Sequence, residues 1–469
     1  MGKASSLFYS EREHTLHKRV TPSLEQRDFL QQQWNNLAVH LKAKLSEKYG
    51  YTISTWLQGS YKYGTLIKPV HRDEEYDVDV GVYFSWNPDG NAEPAPEQLR
   101  EWVQRELLEY ATAHSEIKSV SEPPKARCSR AIYNKLFHID LPVYHLTPAS
   151  DKRRLALLSG GWEPSDPKRF YKWFRDAISG DKRDQLRRLI RYLKGWAAVA
   201  FTSAQESRPS SILLTVLATE AYIDYFGWYV LLTDDEDALV IVIRKIHDRL
   251  LINSTVFNPA EKQEEDLNRI EPEYWDGFLS RLQALRDCTD AASDAQDEAA
   301  AALAWSEAFS FLMPLPPVSE VEISAGDNQR SLMQVPDIDI RVYRRNPKKL
   351  TSQHRNEVPN VAKGCDLIFS IANPHVIPEF ATIEWTVRNN GMEADEIGDL
   401  GHRRIGMRML SADEVTKYAG LHYMDCIVRV GGSVYSVRRI PVNVKDIKYP
   451  LRNPALPFYK KIRSVRGRR

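Results

Sequence analysis

Residues 76–84 read Tyr-Asp-Val-Asp-Val-Gly-Val-Tyr-Phe, an alternation with the period of a strand that buries one face. Val78, Val80 and Val82 point one way, and Asp77 and Asp79 point the other. Two carboxylates held that close repel unless a cation lies between them, so the fold has to accommodate the pair. A third acid, Asp140, sits in Phe-His-Ile-Asp-Leu-Pro-Val-Tyr (137–144). The apolar neighbours Phe137, Ile139, Leu141 and Val143 make that stretch a strand with buried positions, where an acid needs a reason. Removal of Asp77 or Asp140 is expected to relieve repulsion and leave the fold intact. His138, beside Asp140, reads as a core histidine turned away from it.

Upstream, residues 51–58 alternate again and run into Gln58-Gly59-Ser60. Gly59 lets the backbone approach a phosphate closely. The Ser60 hydroxyl and the N–H groups of the opening turn can donate to phosphate oxygens. Gly59 and Gly64 have the spacing of a P-loop, but Thr65 and Leu66 stand where that motif needs Lys and Ser or Thr. Gly64 is therefore read as a turn residue. A second Asp-x-Asp, Asp337 and Asp339, has no Gly-Ser before it and no lone acid after it, and reads as a solvated strand edge.

The surrounding chain divides by composition. Ser23 and Gln26 have capping-box spacing and open a long amphipathic helix over 23–49. Residues 97–113 are helical, and 129–146 hold one or two strands. These form a mixed α/β lobe over 1–160. From 161 to 314 the pattern is helical, with segments 182–200, 210–230, 236–252 and 272–313. Residues 315–357 read as a linker, Pro-rich and polar at first and then a polar, basic connector. Residues 358–447 form a small β-rich domain, with turns at Asn389-Asn390-Gly391 and Gly431-Gly432. Residues 448–469 are a basic tail. Helix 182–200 carries a basic stripe, Arg183, Arg187, Arg191 and Lys194, opposite an apolar side. Arg183 and Arg187 read as a solvated face. Ser210 begins the next helix as its N-cap.

The ordered set of strand, Gly-Ser, Asp-x-Asp strand and later lone Asp resembles the polymerase-β-like nucleotidyltransferase superfamily. Gln58-Gly59-Ser60-Tyr61, the Asp77/Asp79 pair and the His-Ile-Asp of Asp140 look like the bacterial cGAS/DncV-like nucleotidyltransferases (CD-NTases), as do stretches 162–174, 186–198, 209–222 and 258–267. Residues 358–446 resemble the AGS-C sensor-like domain found fused to such enzymes. The resemblance implies an α+β fold: a mixed nucleotidyltransferase sheet plus a helical lobe, with the β-rich domain following. It implies an enzyme that joins ATP and/or GTP into a cyclic oligonucleotide second messenger and releases pyrophosphate, in bacterial anti-phage signalling. Two Mg²⁺ ions (or Mn²⁺), about 4 Å apart, would be held by Asp77, Asp79 and Asp140. Gln58, Gly59, Ser60, Lys194 and Ser210 would bind nucleotide, with Lys194 on the terminal phosphates. The implied partners are nucleoside triphosphates, a downstream effector that binds the product, and a small ligand at the C-terminal domain. Trp385, Arg388, Asn389, His402, Arg403, His422 and Tyr423 are candidates to line a pocket for that ligand. The alternatives left open are a linear oligonucleotide synthase, an RNA-tailing or protein-nucleotidylating enzyme on the same scaffold, and a catalytically dead nucleotide sensor.

Composition narrows the choice. Among 469 residues, 42% are hydrophobic and 27% charged, with a net charge of +1. That is an ordinary globular composition, without the basic excess that a gripped RNA demands. Four widely spaced cysteines form no zinc or disulfide pattern and suggest a reducing cytoplasm. No apolar run is long enough to span a membrane. The opening Met-Gly-Lys-Ala-Ser-Ser matches the pattern for N-myristoylation at Gly2, but so short a pattern arises easily by chance and needs a eukaryotic transferase, and it is read as coincidence.

Overall fold

The computed structural model describes residues 2–72, 74–86, 94–134, 137–227, 233–260, 265–316, 335–345 and 348–447. The basic tail and most of the Pro-rich linker lie outside these residues. Two compact units emerge: residues 1–324 with Asp395–Leu400, and the remainder from Ala325 on.

The first unit begins with two short helices, α1 (Ser5–Phe8) and α2 (Leu16–Val20), then the long α3 (Leu24–Tyr49). The capping box at Ser23 and Gln26 is formed on both sides, and Gly50 closes the helix in the left-handed region. Strand β1 (Thr52–Gln58) leads into a single helical turn and a half, α4 (Gly59–Tyr63), and on to β2 (Tyr76–Ser85). After α5 (Pro96–Ala113) come β3 (Ile117–Val120), β4 (Cys128–Tyr133), β5 (Phe137–Thr147), β6 (Lys152–Ala156) and β7 (Trp162–Pro164). The sheet runs β1-β2-β5-β4-β3, and β6 pairs with the end of β5 and with β7. β2 and β5 are parallel, while β1–β2 and β4–β5 are antiparallel, so the sheet is mixed as expected. Its apolar face (Val78, Val80, Val82, Ile139, Leu141, Val143) packs on Leu37, Leu41 and Leu45 of α3 and on Leu99, Val103 and Leu107 of α5. That packing turns the opposite face, the one carrying the acids, away from the core.

The helical part consists of α6 (Pro167–Ala177), α7 (Gly180–Ala200), α8 (Ser211–Phe226), α9 (Asp235–Ile252), α10 (Pro272–Asp294) and α11 (Glu298–Phe309). They share a core with α1, α2, Val70 and Leu400, built around Tyr192, Trp196, Tyr222 and Trp305. The stretch expected as one helical segment over 272–313 is broken, because the Asp297 side chain accepts from the Ala300 N–H at 2.8 Å and starts a new helix. Lys68, buried in this unit, donates to Asp395 at 2.6 Å.

The second unit holds β8 (Ile338–Arg344), β9 (Lys349–Arg355), β10 (Val358–Ala362), β11 (Cys365–Ile371), β12 (Thr382–Arg388), the start of α12 (Met392–Ile397), β13 (Gly401–Met407), β14 (Ser411–Val415), β15 (Gly420–Val430) and β16 (Ser433–Lys445). One sheet runs β10-β16-β15-β12-β13, the other β14-β11-β8-β9. Their apolar sides meet in one core containing Ile340, Leu367, Ile383, Trp385 and Val428. Strands β8 and β9 correct the sequence expectation of a connector up to 357. Ile338, Ile340 and Val342 alternate into that core, and pairing with β11 satisfies their backbone. Gly431 and Gly432, both at positive φ, make the expected turn between β15 and β16.

Candidate functional site

Register brings the acids together. Asp79 of β2 lies opposite Gln58 of β1 on one side and opposite Asp140 of β5 on the other, with Asp77 opposite His138. All project from the sheet face that the core does not cover. Gly59 has φ +67°, and a Cβ built there would stand 2.0 Å from Asp79 Oδ2. The residue after β1 must therefore be glycine both for its backbone and for the acid beside it. Gly64, at φ +74°, closes α4 as its left-handed C-cap, the turn role expected of it.

Asp77, His138 and Asp140 each offer a ligand atom within 4.8 Å of the others. His138 was expected to face away from Asp140. It does not, since residues two apart on a strand share a face. Its Nε2 lies 2.8 Å from Asp77 Oδ1 and its Nδ1 lies 2.9 Å from Glu75 Oε2. Asp140 is engaged on both oxygens by Arg130, Nε at 2.5 Å and Nη2 at 2.7 Å. Arg130 comes from the facing position on β4. Sequence reasoning missed Arg130 because only the β4–β5 register reveals it. The signal for His138 was present in the period of two and was misread.

The electrostatics are those of a crowded acidic site. Burial, then the charges of Asp77 and Asp140, raise the pKa of Asp79 well above the usual carboxylate range, against the pull of Arg130. Burial also pushes Asp77 up, but the His138 hydrogen bond and charge, with Arg130 and Lys125, outweigh it and leave Asp77 low. One acid is thus paired with an imidazole, one with a guanidinium, and the middle one resists ionisation. A divalent cation relieves that frustration, and carboxylate oxygens are the donors Mg²⁺ prefers, so the residues fit such an ion. The expectation that losing Asp77 or Asp140 relieves repulsion is corrected for Asp140, whose removal strands Arg130.

The remaining predicted residues have the following partners. Gln58 is buried; its Nε2 donates to the Tyr144 hydroxyl and its Oε1 accepts from the Tyr83 hydroxyl, both at 3.3 Å. Ser60 lies half-buried in the first turn of α4. Ser210 caps α8, accepting from the Leu213 N–H at 3.3 Å. Lys194 is buried, and its Nζ donates to the Thr65 carbonyl and hydroxyl, both at 3.2 Å. Burial first, then Arg191, lower its pKa to about 7, against the pull of Asp77. The basic stripe on α7 has a visible structural task. Arg187, Arg191 and Lys194 donate to the carbonyls of Tyr63, Gly64 and Thr65 respectively, three successive acceptors at the C-terminal end of α4. Arg187 is therefore not the free solvated residue expected. In the second unit, Trp385 is a core residue donating to Met409 O at 2.8 Å, and Arg388 pairs with the fully buried Asp425 at 2.6 Å.

Comparison with known proteins agrees with this architecture. Residues 53–144 match the model for the DncV-like cyclic GMP-AMP synthase nucleotidyltransferase domain. Residues 326–445 match the Adenylyl/Guanylyl and SMODS C-terminal sensor domain. A cyclic GMP-AMP synthase of Escherichia albertii is 27% identical over 97% of this chain and 99% of its own length. A c-di-GMP synthase of Roseivirga ehrenbergii is 28% identical over 37% of this chain and half of its own length. Among solved structures, Vibrio cholerae DncV bound to 3'-deoxy ATP aligns at TM-score 0.56 and 20% identity, over 67% of this chain and 96% of that one. The same enzyme with the linear intermediate 5' pppA(3',5')pG aligns at TM-score 0.54 and 19% identity, over 67% and 96%. With acid strands, glycine-serine turn, helical lobe and terminal β-unit all in place, the chain resembles the bacterial cGAS/DncV-like nucleotidyltransferases, with a DncV-like nucleotidyltransferase match over 53–144 and an AGS-C sensor-domain match over 326–445.

Proposed function

We propose that this nucleotidyltransferase joins ATP and/or GTP into a cyclic oligonucleotide second messenger and releases pyrophosphate. The observation that carries the proposal is the meeting of Asp77, Asp79 and Asp140 on one open sheet face beside Gly59-Ser60. The relatives named cyclic GMP-AMP and c-di-GMP synthases support the cyclic product, and the DncV complex with a linear intermediate supports stepwise joining.

In this reading a sugar hydroxyl of one nucleotide attacks the α-phosphorus of another. A P–O bond forms, the bond to pyrophosphate breaks, and Asp140 takes the hydroxyl proton. A second transfer within the linear intermediate closes the ring. Such displacement depends mainly on positioning and on neutralising charge. Asp77, Asp79 and Asp140 would hold two Mg²⁺ or Mn²⁺ ions, which supply charge neutralisation and activate the attacking hydroxyl when bound. The Ser60 hydroxyl and the Gly59 turn would hold phosphate oxygens, with Gln58 orienting the turn through Tyr83 and Tyr144. Lys194 would meet the terminal phosphates by exchanging its Thr65 partners, and Ser210 would add a hydroxyl donor. We place the enzyme in the cytoplasm, in bacterial anti-phage signalling, with an effector that binds the product and a small ligand for the C-terminal unit.

The test is incubation with labelled ATP and GTP and Mg²⁺. Pyrophosphate release with a phosphatase-resistant product is expected. A phosphatase-sensitive product indicates linear synthesis, label on RNA or protein indicates a different acceptor, and nucleotide binding without pyrophosphate release indicates a sensor. Each of these overturns the cyclic reading.

A further inference from the structure

Resting on the reading of Asp77 as a metal ligand, we infer that Glu75 and His138 form a positioning relay that sets the orientation of the Asp77 carboxylate. His138 is a positioning residue and not a ligand itself. Four observations carry this.

The parallel register places His138 directly beside Asp77 on the same face, where cross-strand neighbours touch. The ring is buried, and each nitrogen already faces a carboxylate: Nε2 on Asp77 Oδ1 at 2.8 Å, Nδ1 on Glu75 Oε2 at 2.9 Å. Rotating the ring toward an ion would break one contact or both. The contact uses Oδ1 of Asp77 alone, and the Asp77 side chain is 54% exposed, so Oδ2 stays open to a cation. Arg130 differs in this respect, for it contacts both oxygens of Asp140 and leaves neither as open as Oδ2 of Asp77. Of the two basic side chains at the centre, His138 is thus the one that leaves a carboxylate oxygen uncontacted and can keep its bond when an ion binds. Hydrogen-bonded partners of ligating side chains fix ligand orientation, and their loss costs about 10–100-fold in metal affinity.

The test measures Mn²⁺, Mg²⁺, Ni²⁺ and Zn²⁺ binding to the full-length protein by calorimetry, with no nucleotide present. His138→Phe is expected to weaken both ions by about 10–100-fold. His138→Gln, whose amide can still donate to Asp77, is expected to recover part of the loss. Glu75→Ala, a change at a partly exposed position that spares the core, is expected to weaken both ions several-fold and keeps the test available should His138→Phe fold poorly. Unchanged affinity in Glu75→Ala and His138→Gln overturns the relay. A loss confined to nitrogen-preferring ions such as Ni²⁺ and Zn²⁺, with Mg²⁺ unaffected, overturns it in favour of His138 as a direct ligand. Asp77→Asn separates the two layers. If it binds Mn²⁺ like the parent, the metal reading of Asp77 falls; if it loses Mn²⁺ while the Glu75 and His138 variants retain it, the relay alone falls.

Discussion

Asp79 and Asp140 face one another across parallel strands, yet their removal has opposite consequences for the metal-free protein. Asp79 is half-buried among like charges and its pKa is raised. A carboxyl that holds its proton more tightly folded than unfolded loses stability as pH rises from the ordinary carboxylate range through the raised value. Asp79→Asn should therefore raise the Tm of the metal-free protein at pH 7 and above, narrow its fall with pH, and abolish turnover. Asp140→Ala should also abolish turnover but lower stability by about 1–3 kcal/mol, because Arg130 loses both its bonds. Thermal unfolding from pH 5 to 8 reads both; a shared direction of change contradicts this electrostatic picture. Lys194 gives a second test. With its pKa lowered to about 7, it is mostly neutral at pH 8, and an adjacent terminal phosphate favours the charged form. Triphosphate binding at pH 8 should take up a proton, visible as a buffer-dependent calorimetric enthalpy and lost in Lys194→Met. No uptake in the parent removes the lysine from the phosphate site.

At the level of elements, α4 is too short to hold itself and is fixed from outside. Its C-terminal carbonyls rest on Arg187, Arg191 and Lys194 of α7. Arg191→Met keeps the packed stem and deletes one bond to Gly64, a charged hydrogen bond worth about 1.5–3 kcal/mol. A raised KM for nucleotide is expected with the acids untouched, and an unchanged KM would show that α7 does not position the turn. Much of this level was legible in the residues. The Ser23–Gln26 cap, the Asp-x-Asp alternation and the Gly-Ser break are local signals, and each produced its element. What was not legible depends on pairing. Arg130 meets Asp140 only through the β4–β5 register, and the carbonyl acceptors of the basic stripe lie over 120 residues away in sequence, as the separation of Arg187 from Tyr63 shows. The strands at 338–355 were obscured because their exposed face is basic, which masked the apolar alternation of Ile338, Ile340 and Val342. The break at Asp297 was hidden in an Ala-rich run that favours helix throughout.

For the whole molecule, near neutrality matters. Net charge is +1, and the cations most visible near the site are internally committed: Arg130 to Asp140, Arg191 to Gly64 and Lys194 to Thr65. No described helix is long and apolar enough to cross a membrane. Polymerases that grip nucleic acid show steep salt dependence from phosphate contacts. This protein should turn over nucleotides with shallow salt dependence and without competition from RNA; strong RNA inhibition that salt relieves would point to the RNA-tailing alternative.

The central claim is that three acids on adjoining strands converge on divalent ions. Diffraction from crystals grown with Mn²⁺ and a non-hydrolysable triphosphate, read at the manganese absorption edge, tests it directly. Anomalous peaks are expected within bonding distance of Asp77, Asp79 and Asp140, with His138 still on Asp77 and the triphosphate beside Ser60. Manganese absent from these carboxylates while nucleotide is bound would contradict it.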